Sequence, residues 1–217
     1  MRSRRWWLAA GLAAGAGLAF VSIKTGGLNG LLRKINAGIE IVVGRLREQG
    51  VRIVRLWIRD HALRIAQGMS PADTCRIAPG LFVGGQQYRR GLGRMAALGI
   101  RATLSLREEA DDRARGVAME RHLWLPTVDD TPPTLTQLLQ AVDFIRLALS
   151  EGHGVYIHCA SGVGRAPTAA AAYLVSTGLT PAEAWSLIRG RRPFIRPKAI
   201  QFEQIERFHS ALRDPNP

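Results

Sequence analysis

The stretch that decides the fold is VYIHCASGVGRAPTAAAAYLV, residues 155–175. Its apolar start, residues 155–157, is too short for an independent helix and suits a strand in the middle of a sheet. The run stops at His158 and Cys159, and five residues, Ala160, Ser161, Gly162, Val163 and Gly164, lead to Arg165. The alanine-rich segment that follows predicts a helix over 166–176. A chain that leaves a strand and enters a helix within seven residues must turn sharply, and Gly162 and Gly164 permit that curvature. Successive N–H groups in such a turn, ending at a helix N-terminus, make a concave donor array for a phosphoryl group. Arg165 adds a rigid fork that grips two oxygens at once, which a lysine does not reproduce. Beside these positive ends the Cys159 thiolate is stabilised, and the thiolate is the nucleophilic form of cysteine.

Outward from this junction the pattern from about residue 74 is α/β. Short strands are expected at 81–83 in IAPGLFVGGQ, at 102–106 in GIRATLSL and in HLWLPTV. A helix over 135–149 places Leu138, Leu139, Val142, Ile145 and Leu149 on one side. Thr180, Pro181 and Glu183 read as the cap, first turn and capping-box partner of another helix. A last helix is expected over about 197–209. Strands interleaved with helices imply a mostly parallel central sheet flanked by helices on both faces.

A phosphate ester needs its leaving oxygen protonated. The candidates are Asp129 and Asp130 in LPTVDDTPPT, on a proline-bearing loop between a strand and the 135–149 helix.

The constellation HCxxGxxR, with its strand before and helix after, resembles the cysteine-based protein tyrosine phosphatase superfamily, in its dual-specificity form. The resemblance covers about residues 74–210: IAPGLFVGGQ resembles the family's entry strand, and RRPFIRPKAIQFEQIERF its closing turn and final helix. It implies that Cys159 attacks phosphorus, that Arg165 and the amides of 160–165 hold the oxygens, and that D-x-T-P-P makes Asp129 the general acid. His158, Ala160, Ser161, Gly162, Val163 and Gly164 then form the substrate-binding set, without cofactor or metal. His158 either tunes the loop and thiolate or is a packing residue. Arg192, Arg196 and Lys198 either present charge near the pocket or solvate a turn. One departure stands out: the family places Ser or Thr directly after the arginine, and here that residue is Ala166, with Ser161 and Thr168 as the nearest hydroxyls. The implied substrate is a phosphorylated protein, in the manner of tyrosine and dual-specificity phosphatases. The alternatives are a phospholipid such as phosphatidylglycerophosphate or a phosphoinositide, whose phosphatase shares the TVD before its acid loop, and a phosphate-binding pseudophosphatase of low turnover.

Composition sets the wider frame. A 47% hydrophobic fraction over 217 residues supports a real core. Residues 1–70 carry twelve Lys/Arg against three acids, and the rest eighteen against fourteen, so much of the +13 charge sits at the start. Residues 6–23 are uncharged, flanked by Arg2, Arg4, Arg5 and Lys24, and as a helix would be about 27 Å long. This reads as a membrane anchor or a signal over 1–27, then a basic amphipathic helical segment over 28–70 and a catalytic domain over 71–212. The expected location is a single-pass inner or cytoplasmic membrane, with the charges on the two flanks leaving orientation open. The basic residues are concentrated beside this apolar run and form no recognition motif with aromatic interleaving, so nucleic acid is not an expected partner. With two cysteines, Cys75 and Cys159, and no CxxC or HExxH, the sequence offers neither a disulfide framework nor a zinc site.

Overall fold

The computed structural model describes residues 28–214. The chain divides into two compact units, Met1–Ala62 and Leu63–Pro217. Helix α1, Leu28–Gln67, is broken at Gly50, whose φ of 77° lies in the left-handed region that suits glycine. Within the first unit the Arg45 guanidinium lies 4.6 Å above the Trp57 ring, and its Nη1 donates to Gln49 Oε1 at 3.0 Å. Among the described residues no helix is long and apolar enough to cross a membrane. The anchor or signal expected at residues 6–23 lies outside the described residues.

The second unit is built on a five-stranded sheet. Its strands are β1 (Arg76–Ala78), β2 (Leu81–Gly85), β3 (Ile100–Arg107), β4 (Arg121–Thr127) and β5 (Gly154–Cys159), in the order β1-β2-β5-β3-β4. β1 runs antiparallel to β2 and every other pairing is parallel. β5 pairs on both edges and all six of its residues are buried, which is why its apolar run is continuous. β4 pairs only with β3, and Pro126 is tolerated there because an edge strand can spare an amide donor. The sequence reading passed over β1, the one-turn helix α2 (Ala72–Cys75) and α3 (Leu92–Ala97), all too short to show a period.

Helices α4 (Leu135–Ser150), α5 (Arg165–Ser176), α6 (Pro181–Arg191) and α7 (Ala199–Arg213) contribute to one large apolar cluster with Leu81, Val83, Leu104, Leu106, Val155 and Ile157. On the opposite face, Phe82, Ile100 and Tyr156 pack with Met69, Cys75 and Met95. α5 is buried on nearly every side, so its alanines allow the closest approach to sheet and neighbouring helices. The apolar side of α4 differs in detail from the periodicity reading. Leu138, Val142 and Ile145 are buried, but Leu139 is 48% exposed, and Ala141 and Ala148 take the inward positions. Thr134 with Gln137 and Thr180 with Glu183 form complete capping boxes that fix the starts of α4 and α6.

This topology brings the C-terminal ends of β2, β5, β3 and β4 to one edge. The chain leaves them through Gln86, through residues 160–164, through the acidic segment 108–112 and through the 128–134 loop. Ligands of open α/β sheets bind at such an edge.

Candidate active site

The turn after β5 is held open from outside, carbonyl by carbonyl. Ala160 O accepts from Gln86 N at 3.1 Å and Val163 O from Arg196 N at 2.7 Å. Ser161 O and Gly162 O accept from the Arg192 side chain at 3.1 and 2.8 Å. Gly164 O accepts from Thr168 N and from its hydroxyl, at 3.1 and 3.0 Å. With all five carbonyls committed to the frame, the amide N–H groups are the donors left for an oxyanion. One of them, Gly162 N–H, donates to Cys159 Sγ at 3.3 Å. Gly162 has φ 69°, and a Cβ there would fall 2.2 Å from the Gly84 carbonyl carbon, so the turn lies directly on β2. The VGG ending of β2 serves the same contact: a Cβ on Gly84 would strike the Tyr156 hydroxyl, and one on Gly85 would crowd the Arg64 side chain and Ala160 O.

Arg165 is fully buried and gripped along one edge. Its Nη1 donates to Thr127 O at 2.8 Å, Leu106 O at 3.3 Å and Glu109 Oε2 at 3.1 Å, and its Nη2 to Glu109 Oε1 at 3.3 Å. Nη2 also lies 2.9 Å from Asp129 Oδ1. Nε is buried without a protein partner, so the guanidinium keeps a donor for a phosphoryl oxygen. Burial works against the charge on Arg165, but Glu109, Cys159 and Asp129 outweigh it and raise the group above its usual value. Burial likewise pushes Glu109 up, and its hydrogen bonds to Arg165 and Arg107 reverse this and hold it at about 2.

The 128–134 loop separates the two aspartates. Asp129 faces Arg165, whereas Asp130 has φ 61° and reaches Lys198 Nζ at 3.3 Å. Both are largely exposed, at 75% and 72%. Two glutamines of α7 anchor the loop: Gln201 donates to Thr131 O at 2.8 Å and Gln204 to Pro133 O at 2.9 Å. Gln201 also lies against the turn, since a Cβ on Gly164 would come within 3.1 Å of its Oε1.

A thiol at the floor of an amide-lined turn, a buried arginine beside it and a carboxylate above it invite comparison with known proteins. Residues 81–211 match the family described as dual specificity phosphatase, catalytic domain, more than half of the chain. The chain belongs to the dual-specificity phosphatase family. Dual specificity protein phosphatase 12 of Mus musculus is 33% identical over 138 residues, which covers 60% of this chain and 40% of that protein. Phosphatidylglycerophosphate phosphatase PTPMT1 of Arabidopsis thaliana is 27% identical over 140 residues, covering 62% and 42%. The chain thus spans about two fifths of the length of these relatives. A crystal structure of PTPMT1 in complex with PI(5)P superposes with a TM-score of 0.60 and 27% identity, covering 64% of this chain and 96% of that chain.

Within this dual-specificity phosphatase fold, the residues read from sequence divide into two groups. Cys159, Arg165, Asp129 and the turn 160–164 converge on one hollow. His158 does not join them: alternation along β5 turns its ring to the opposite face of the sheet, where it is fully buried and bound to Asp112. Its side chain therefore cannot line the phosphate site. Arg192 fits neither reading offered by the sequence. It is fully buried and braces the turn from behind, with Phe194 4.5 Å beneath its guanidinium. Glu109, Asp112, Gln86 and Gln201 went unread, because an acidic run and scattered glutamines resemble solvated surface.

Replacing Arg192 with methionine removes donors from three carbonyls, those of Thr74, Ser161 and Gly162, at about 1–3 kcal/mol for each one left unsatisfied. The Tm of R192M is expected to fall by several degrees, and inorganic vanadate should bind more weakly. An unchanged melting curve would show that the turn stands without this brace.

Proposed function

We propose that the chain is a phosphoric monoester hydrolase that works through a phosphocysteine on Cys159 and acts on phosphotyrosine and related phosphomonoesters of proteins. The observation that carries the chemistry is the turn itself: every carbonyl from 160 to 164 is bound outward, with Cys159 at one end and Arg165 at the other. In the first step the Cys159 thiolate forms an S–P bond, the ester P–O bond breaks, and Asp129 gives its proton to the leaving oxygen. In the second, water attacks the same phosphorus, the S–P bond breaks, and Asp129 takes the water's proton. Arg165 and the amides hold the three equatorial oxygens throughout. No step calls for a metal ion, so a chelator should leave turnover intact.

The protein reading draws on the likeness to dual specificity protein phosphatase 12. A second reading, a phospholipid phosphatase, draws on the likeness to PTPMT1, whose structure with PI(5)P matches nearly its whole length. Both are compatible with a membrane location conferred by the basic and apolar first seventy residues. The deciding experiment offers the purified protein a phosphotyrosyl peptide and, in mixed micelles, phosphatidylglycerophosphate and phosphatidylinositol 5-phosphate. A higher kcat/KM for the peptide supports the protein reading; a marked preference for either lipid replaces it with the second. Failure to turn over all three, with phosphate still bound, would identify a pseudophosphatase.

Ala166 bears on the second step. Thr168 spends its hydroxyl on Gly164 O, which leaves Ser161 as the hydroxyl within the turn. The Ala166→Ser variant is therefore expected to break down its phosphoenzyme faster. In rapid-quench kinetics this appears as a smaller burst and a higher steady-state kcat; an unchanged burst would show that Ser161 or water alone suffices.

A further inference from the structure

The last turn of α1 carries an arginine that the steps above do not use and that lies outside residues 81–211 matched by the family. Arg64 belongs to the second unit and is buried, at 4% exposure. The helix end is fixed over the segment that follows β2: Gly68 N donates to Arg64 O at 2.9 Å, and Tyr88 N to Gly68 O at 2.7 Å. One turn back from Gly68, Arg64 reaches the end of β2, where its Nη1 donates to Gln86 O at 3.0 Å. Its stem lies against Gly85: a Cβ there would fall 2.8 Å from Arg64 Nε and 3.1 Å from Ala160 O. Gly85 is the register partner of Cys159 across the β2–β5 pair, so the arginine packs beside the strand end that neighbours the nucleophile.

Gln86 is where this contact meets the phosphate turn. Its N–H donates to Ala160 O at 3.1 Å. A trans peptide is planar, with its carbonyl and its N–H on opposite sides, so a hold on Ala160 O aims the Ser161 N–H the other way, into the hollow. Every other peptide of the turn has its own support. Arg192 holds those ending in the Gly162 and Val163 N–H groups. The Arg196 amide holds the one ending in the Gly164 N–H, and Thr168 the one ending in the Arg165 N–H. The Ser161 N–H is the donor set by Gln86. The Gln86 side chain is anchored separately: Nε2 donates to Asp112 Oδ1 at 3.0 Å, and Oε1 accepts from Arg107 Nη1 at 2.8 Å. Orientation of the Gln86 backbone is therefore what Arg64 adds. A planar guanidinium keeps its donor in one direction, which a flexible ammonium does not.

We propose that Arg64 is a positioning residue for oxyanion binding: by holding the Gln86 carbonyl and packing on Gly85, it orients the peptide that presents the Ser161 N–H to the phosphoryl group. The proposal rests on the reading of the turn as a phosphate site, and its test reads binding rather than turnover. The full chain, R64M and R64K are titrated with inorganic phosphate. Calorimetry gives the affinity, and 15N NMR follows each amide of the turn. R64M should bind phosphate about tenfold more weakly, the scale of one poorly made hydrogen bond to a charged group. Its Ser161 N–H should respond less to phosphate, while the Arg165 N–H, set by Thr168, keeps its response. R64K retains a donor for the carbonyl and should recover most of the loss, with the remainder falling on Ser161. Equal phosphate affinity in R64M and the wild type would overturn the proposal. So would a weakening spread evenly over the turn amides, or one that R64K does not relieve, since either marks a general loosening of the fold. If R64M does not fold, R64K decides: a residual loss confined to the Ser161 N–H supports the proposal, and an even loss or none overturns it. A wild-type chain that binds no phosphate would remove the site reading and the proposal together. Phosphate binding that needs Arg64, in a chain that hydrolyses nothing, would remove only the phosphatase reading.

Discussion

Changing Cys159 to serine is expected to reduce hydrolysis of an aryl phosphate below detection, a loss of at least about 10⁴-fold by the scale of other nucleophile removals. The reason is charge rather than shape. A serine hydroxyl fits the space and still meets the Gly162 N–H that now donates to Sγ at 3.3 Å. It remains protonated at neutral pH, however, so the amides and Arg165 have no anionic nucleophile to stabilise. Those same groups are untouched, so C159S should bind inorganic phosphate about as well as the wild type and melt at a similar temperature. A stable variant that binds and does not turn over is the expected result. Residual turnover in C159S at a tenth of the wild-type rate would place the nucleophile elsewhere.

The second large effect is expected at Asp129. With a poor leaving group, D129A should lose about 10²–10⁴-fold in kcat, the usual range for a general acid. With an activated leaving group, which departs without a proton, the loss should shrink to a few-fold. The matched change at Asp130 should cost little with either ester. The geometry separates the pair: Asp129 Oδ1 is 2.9 Å from Arg165 Nη2, so a phosphoryl group held by that guanidinium has its ester oxygen close to the Asp129 carboxyl. Asp130 turns to Lys198, and its positive φ shows the chain bending away at that residue. Rates on two esters of different leaving-group ability, for both variants, check this. A larger loss in D130A would move the acid by one residue.

How much of this was legible in the sequence follows from which features leave a local trace. The strand–turn–helix around Cys159 did, because an apolar run, two glycines and a helix start at fixed spacing each have a local cause. The capping box of Thr180 with Glu183 did as well, whereas that of Thr134 with Gln137 went unread. The facing of His158 was in principle readable: neighbours on a strand point to opposite faces, so His158 and Cys159 cannot both line one hollow. Three other features left no such trace. Glu109 and Asp112 sit in an acidic run that looks solvated, and only the return of β5 between β2 and β3 brings Arg165 and His158 to them. Arg192 lies in an arginine pair at the end of a helix, where exposure is the ordinary outcome; its burial depends on loop carbonyls some thirty residues away. On α4 the sequence pattern tracks large apolar residues, so it included the exposed Leu139 and passed over the buried Ala141 and Ala148.

The measurement that bears most directly on the phosphocysteine is chemical trapping. The full chain is mixed with an aryl phosphate, quenched in acid within the first turnover and mapped by peptide mass spectrometry. A phosphoryl group on the sulfur of Cys159, absent from C159S and longer-lived in D129A, is the predicted result. A phosphoryl group on any other side chain, or rapid turnover with none trapped at Cys159, would contradict it.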